Sequence, residues 1–264
     1  MTDWVHLTRE LDAWAAAERT ATIWWRDDDA VEPSPDLERL LTLAADFGVP
    51  IAIAVIPAHA SAALAYRLEA VQPRPTPMQH GLAHANHAPP GGKKWELGSH
   101  RPLHQVTEDL ARGRDRMTEL FGADWTATIV PPWNRIAPEV VAALPGLGIR
   151  GLSTYGARKG AAAAPGVVQV NCHVDIMRWS APRGFAGREV ALGLLIDHLA
   201  ARRSGAADER EPTGLLTHHL QHDEAAWSFL ADLLPRLTAH PAVRFVSADA
   251  AFAAKGEPDA KDAA

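Results

Sequence analysis

Three polar clusters in this chain hold groups able to do acid–base or metal chemistry: Arg26-Asp27-Asp28-Asp29, His80-Gly81-Leu82-Ala83-His84 and Thr217-His218-His219. Consecutive carboxylates repel one another, so packing alone does not account for Asp27, Asp28 and Asp29; a cation between them does. His80 and His84 stand four residues apart and can converge on one point, and neutral imidazole is the commonest metal ligand. Asp with His and His is the donor set of a hydrolytic metal site. An ion with three protein ligands keeps open positions, polarises a carbonyl and brings bound water to a pKa of about 7.

The elements that must position these groups appear as apolar runs alternating with helical patterns. Trp4, Leu7, Leu11 and Trp14 have helical spacing, with Thr2 or Asp3 as the cap. A strand is expected at 21–26, then a helix over 36–47 closed by Gly48 and a fully buried strand at 51–56. A helix near 60–70 and a strand near 77–79 follow. Residues 85–105, rich in Pro, Gly and His, are too long for a simple connection and read as a functional loop. Helices at 106–121, 136–144, 187–203 and 224–238 alternate with strands at 126–130, 149–154, 167–171, 213–217 and 243–246. The pattern predicts an α/β chain folded as a distorted or incomplete parallel (β/α) barrel of seven to eight strands. It is expected to form one domain over 1–254, with 255–264 as a disordered tail. All three polar clusters then follow predicted strands, on the C-terminal rim where barrel enzymes build their sites.

Composition narrows the function. Of 264 residues, 47% are hydrophobic, enough for one large core. A formal net charge of -6, with Lys93-Lys94 and Arg202-Arg203 as the densest basic runs, gives no footprint for nucleic acid. The single cysteine, Cys172, excludes an internal disulfide and fits a reducing compartment. The N-terminus lacks a basic-then-apolar signal, and no apolar stretch approaches the ~20 residues of a membrane span, so a cytoplasmic protein is expected.

The motifs, in this order over roughly 20–220, resemble those of the polysaccharide deacetylase superfamily, carbohydrate esterase family four. That family's Asp-Asp pair, base then metal ligand, lies within Asp27-Asp28-Asp29. Its His-Ser-x-x-His is similar to His80-Gly81-Leu82-Ala83-His84, with glycine in place of serine. Its Arg-x-Pro-Tyr, whose aromatic N–H lines an oxyanion hole, resembles Val130-Pro131-Pro132-Trp133 without the arginine. Its catalytic His at the end of an apolar strand is similar to Leu215-Leu216-Thr217-His218.

The resemblance implies Asp28 as base and Asp29, His80 and His84 as ligands. Asp27 with Asp28 is the alternative register. It implies the Trp133 N–H as an oxyanion donor and His218, or else His219, as the acid that protonates a leaving amine. Adjacent strand-end residues point opposite ways, so the two histidines do not share one task. Asp27, His87, Asn134 and His173, with Trp133, are the candidate substrate contacts; Asp175 and the other strand-end tryptophans, Trp24, Trp25 and Trp179, are weighed beside them. Arg26 and Arg135 are the candidates to replace the missing arginine. The ion is expected to be zinc, with cobalt, nickel or manganese able to serve the same donors. The expected activity is hydrolysis of an amide C–N bond, foremost removal of an N-acyl group from a small-molecule or glycan amino sugar. Opening of a cyclic amide, or metal-free sugar binding, are the alternatives.

Overall fold

The computed structural model describes residues 2–253, so the expected tail at 255–264 lies outside the described residues. Helix α1 (Trp4–Ala16) starts at Asp3, whose carboxylate accepts from Val5 N–H while His6 reaches back to the Asp3 N–H. It buries Leu7, Leu11 and Trp14, the stripe its spacing predicts. Strand β1 (Ala21–Ala30) leads to α2 (Pro35–Asp46), capped by Ser34 with proline in its first turn. Next come β2 (Ala52–Val55), α3 (Ala62–Glu69), β3 (Thr76–Gln79) and α4 (Leu103–Phe121). Short pieces β4 (Thr128–Ile129), α5 (Pro138–Ala143) and β5 (Gly151–Leu152) follow. After these come β6 (Ala162–Ala164), β7 (Val167–Gln169), β8 (Val174–Asp175) and a hairpin of β9 (Met177–Arg178) with β10 (Gly184–Phe185). Helix α6 (Arg188–Ser204), β11 (Thr213–Thr217), α7 (Glu224–Thr238), β12 (Val243–Phe245) and α8 (Ala248–Phe252) complete the order.

The main sheet runs β6-β7-β5-β4-β3-β2-β1-β11-β8, with β12 branching from β1. Every pairing in it is parallel except β6 with β7. Its two ends are joined by one stretch of chain. Val168 and Val170 donate to Arg150 and Leu152 beside β5, and then His173 and Ile176 donate to Gly214 and Leu216 of β11. The curled sheet is thus the distorted parallel barrel the sequence predicts, with its irregularity concentrated at that seam. Among the described residues no helix is long and apolar enough to cross a membrane.

Side-chain alternation sorts each strand between two cores. Trp24, Ala52, Ala54, Met78, Val130, Cys172 and Leu216 fill the lumen. Ile23, Trp25, Ile53, Val55 and Leu215 face the helices, against Leu37, Leu41 and Leu230 among others. β1 is longer than the expected 21–26 because both its edges stay paired: Asp27 stands opposite Thr217 on β11 and Ile53 on β2. β4 and β5 are shorter than expected, although isolated bonds such as Val130 N–H to Gln79 O (2.8 Å) continue the pairing beyond them.

At the seam the backbones come close enough to forbid a side chain. A Cβ on Gly214 would lie 2.5 Å from the Asn171 carbonyl oxygen and 2.6 Å from Cys172 Cα. Gly214→Ala should therefore destabilise the fold by roughly 1–3 kcal/mol, as overpacking does, in a denaturant titration. An unchanged midpoint would show that the seam can spread.

Candidate active site

Alternation along β1 separates the three aspartates. Trp24, Arg26 and Asp28 share the lumen side, whereas Trp25 and Asp27 face the helices. Asp29 should follow Asp27 outward, but the register with β2 shifts between Asp27 and Ala30, and Asp29 adopts a left-handed φ of 79°. This bulge turns the Asp29 carboxylate into the same pocket as Asp28. Such a conformation is rare outside glycine, and Asp tolerates it better than most.

Arg26 lies fully buried beneath Asp28. Its Nε is 2.8 Å from Asp28 Oδ1 and its Nη2 donates to Oδ2 at 3.0 Å. The same guanidinium donates to Ser153 Oγ (2.6 Å) beyond β5 and to Asn134 Oδ1 (2.9 Å) beyond β4. The motif position at Val130 lacks an arginine, and Arg26 is the arginine that reaches Asp28; Arg135 turns away and donates to the Lys94 carbonyl at 2.8 Å. Two parallel contacts from a planar fork fix the carboxylate's orientation as well as its charge environment.

His80 follows β3 directly, and the chain then turns through Gly81 (φ 60°) to His84 (φ 53°). Buried Glu96, from the long loop, accepts from the Leu82 and Ala83 N–H groups at 3.2 and 2.9 Å. A Cβ at residue 81 would stand 2.0 Å from Glu96 Oε2, which accounts for glycine in place of serine. His80 Nε2 and His84 Nε2 lie 3.1 and 3.4 Å from Asp29 Oδ1. Ligand atoms of all three residues fall within 4.8 Å of one another.

The donors fit a divalent cation. His80 Nδ1 lies 2.9 Å from the Val130 carbonyl, which can only accept, so Nδ1 carries the proton and Nε2 faces Asp29 with a lone pair. Two acceptors in contact need a positive charge between them, either a proton on His80 or a metal ion. Without an ion the proton serves. Burial opposes the His80 imidazolium, but the hydrogen bond to Asp29 and the charges of Asp28 and Asp29 raise its pKa above the ordinary value. Burial likewise opposes the Asp29 carboxylate, yet its bond to His80 and the charges of His80, His218 and His84 hold it well below the usual range.

His218 directly follows β11 on the lumen side, its Nε2 3.8 Å from Asp28 Oδ2. Trp179 packs edge-on against it, ring centroids 4.6 Å apart, and donates its Nε1–H to Asp175 Oδ2 at 2.7 Å. Burial raises the Asp175 pKa, and Asp28 adds to the effect while the charge of His218 opposes it. Trp133 is left-handed (φ 56°, ψ 19°), and its ring lies 4.3 Å from that of His84. These groups line one cavity of about 840 Å³ that also takes in Asn134 and Asp175.

Four expected site residues lie elsewhere. Asp27 is fully buried on the helix side, where it accepts from Thr217 Oγ1–H (2.7 Å), from the His219 N–H (3.0 Å) and from His219 Nδ1. Burial opposes both charges, but each partner's charge dominates: Asp27 is lowered and His219 raised. The outward parity of residues 27, 217 and 219 on paired strands thus removes Asp27 and His219 from the pocket, leaving Asp28, Asp29 and His218 in it. His87 is exposed in the long loop, outside the residues lining the cavity, with its N–H on the Trp95 carbonyl. His173 is buried at the seam, stacked on His198 with centroids 3.4 Å apart and 3.4 Å from Glu211.

His173, His198 and Glu211 form a second cluster with metal-like spacing. The Gly214 N–H donates to His173 Nδ1 at 2.9 Å, which places the proton of the neutral ring on Nε2. That nitrogen faces Glu211 as a donor and has no lone pair for an ion. Cys172 is equally inert, its buried thiol pushed up to about 12. Glu96 is a site-building residue that the motifs do not signal, Ser153 is signalled only as a polar group after a predicted strand, and Asp175 with Trp179 takes a larger part than its bare sequence suggests.

No protein-family model and no curated protein matches the sequence. Solved structures do. A carbohydrate esterase family 4 enzyme from Streptococcus mutans superposes with a TM-score of 0.57 at 12% identity, covering 86% of each chain. A peptidoglycan deacetylase from Bacillus subtilis gives 0.55 at 11%, over 87% of this chain and 89% of that one. An acetyl xylan esterase of family 4 from Clostridium thermocellum, in complex with a cobalt ion, gives 0.51 at 14%, over 86% and 87%. The chain has the fold of the polysaccharide deacetylases.

Two measurements test this reading of the geometry. Apparent zinc affinity should rise with pH above the ordinary imidazole value of about 6.5, because His80, its pKa raised, must release its proton first, and Asp29→Ala and His80→Ala should abolish binding. A pH-independent affinity would place the ion elsewhere. His219→Ala should instead cost ~3–5 kcal/mol of stability by leaving Asp27 buried and unpaired. The Asp27–His219 contribution is present in full between the unfolded values of about 4 and about 6.5. It is lost as pH falls through the lowered Asp27 pKa or rises through the raised His219 pKa. Equal unfolding curves for variant and wild type across that window would remove the pair from the stability argument.

Proposed function

We propose that this chain is a metal-dependent amide hydrolase that removes an N-acyl group from an amino sugar or sugar conjugate. The observation that carries this reading is the convergence of Asp28, Asp29, His80, His84 and His218 on one cavity while Asp27 and His219 turn away from it. Asp29, His80 and His84 would hold the ion, with zinc suited to two imidazoles and a carboxylate, and cobalt, nickel or manganese as alternatives. Bound there, a divalent ion supplies Lewis acidity to the acyl carbonyl and acidifies water.

The chain's own residues supply the rest. Asp28, oriented by Arg26, takes the proton from the attacking water at its outer oxygen. His218, 3.8 Å from that oxygen and packed against Trp179, returns a proton to the departing amine. The Trp133 N–H, presented by its left-handed turn, donates to the developing oxyanion. Trp133 and Trp179 flank the cavity and offer indole faces to a sugar ring. The solved structures of like fold are esterases and a peptidoglycan deacetylase, which supports the same chemistry.

The test is acetate release from N-acetylglucosamine and its oligomers by zinc-loaded protein. Asp28→Asn and His218→Ala should each lower kcat by ~10²–10⁴, as loss of a general base or acid does, while retaining the ion. Full turnover after chelation, or in both variants, would overturn the proposal.

A further inference from the structure

The cavity mouth carries charge that a neutral sugar does not use. Lys94 of the long loop, Arg135 after β4, and Arg178 and Arg183 of the β9–β10 hairpin all line it. Among the described residues none of the four has a carboxylate within ion-pair distance, whereas arginines 39, 67, 101, 158 and 203 all do. The contacts of three of them are to backbone and ring: Arg135 to the Lys94 carbonyl, Arg178 to the Pro182 carbonyl at 2.8 Å, and Lys94 Nζ 5.8 Å from the Trp133 ring centre. The three carboxylates of the cavity leave these four cations in excess, because two of them already face positive or protonatable partners. Asp28 is held by Arg26, Asp29 faces His80 and His84, and Asp175 is bonded to Trp179 and to the Met177 N–H.

This concentration of positive charge occurs in a chain with a net charge of -6. The hairpin bearing two of the cations is fixed in place, since the Phe185 N–H donates to Asp223, the residue that caps α7. Uncompensated cations around a cleft focus anions into it, and guanidinium groups pair with oxyanions through two contacts at once.

We propose that the substrate carries an oxyanion, a phosphate or a carboxylate, which the mouth cations bind while the amide reaches Asp28 and His218. This rests on the amide-hydrolase reading above and narrows its substrate class to anionic amino-sugar derivatives. Arg135 and Lys94 would hold the group from the Trp133 side, and Arg178 and Arg183 from the Trp179 side.

Calorimetric binding of N-acetylglucosamine, N-acetylglucosamine 6-phosphate and N-acetylmuramic acid to zinc-loaded protein tests it, with hydrolysis of each followed in parallel. At low salt at least one anionic sugar should bind about tenfold or more tighter than the neutral one, and high salt should shrink that ratio. The double variant Arg178→Gln/Arg183→Gln, and separately Lys94→Gln, should shrink it too, with melting curves verifying the fold. Preference for the phosphate alone or the carboxylate alone identifies the group; equal binding of all three, or a salt-independent ratio, overturns the proposal. Anion preference without hydrolysis of any sugar would sink the hydrolase reading and leave the charge selectivity standing. Hydrolysis without anion preference would do the reverse.

Discussion

A full positive charge sits in the lumen of this barrel, and the site is arranged around it. Arg26 has no exposure to solvent, and an uncompensated guanidinium there would cost several kcal/mol. Its donors are distributed to Asp28 on its own strand, Ser153 beyond β5 and Asn134 beyond β4. One side chain thereby ties together three segments far apart in sequence. Of the three carboxylates that line the pocket, Asp28 is the one that neutralises the buried cation. Fold and pocket share this contact: a change at Asp28 alters a carboxylate that lines the cavity and leaves Arg26 short of its counter-charge.

Much of the site follows from alternation along the strands. Residues 24, 26 and 28 of β1, 216 of β11 and 218 just after it face the lumen, and their odd-numbered neighbours face the helices. Parity alone therefore separates Asp28 from Asp27 and His218 from His219, and the expectation that adjacent histidines differ in task uses this rule. Parity fails at Asp29, which would point outward in a regular strand. Only the bulge, visible as a register shift against β2, brings it beside Asp28. Bulges depend on the neighbouring strand's position, which a one-dimensional pattern does not contain.

Other features were illegible for similar reasons. Glu96 lies in a Pro- and Gly-rich stretch whose sequence marks a loop but not which loop residue turns inward. Its partners, the Leu82 and Ala83 N–H groups, are recognisable only once the turn at Gly81 exists. His173 has the same residue type and the same expected place after a strand as His218, yet it precedes β8 and the Gly214 N–H assigns it a structural proton. The distinction rests on a backbone group of a strand some forty residues away. The helices were easier to place because their caps and apolar stripes are local: Asp3, Ser34 and Asp223 each mark a start that the chain then uses.

The Glu96 tether joins two regions that a protein engineer would treat as separable. The long loop is the natural place to graft new sequence, since its middle, around Gly91 and Gly92, is exposed. Its far end, however, is stitched through Glu96 to the turn that presents His84. A graft that replaces the whole loop would change the cavity lining and release the turn that carries His84 in one step. The interchangeable part is the stretch between Asn86, whose side chain clasps the Trp95 N–H, and Trp95 itself. That clasp marks the splice points for a chimera that keeps the histidine pair in register.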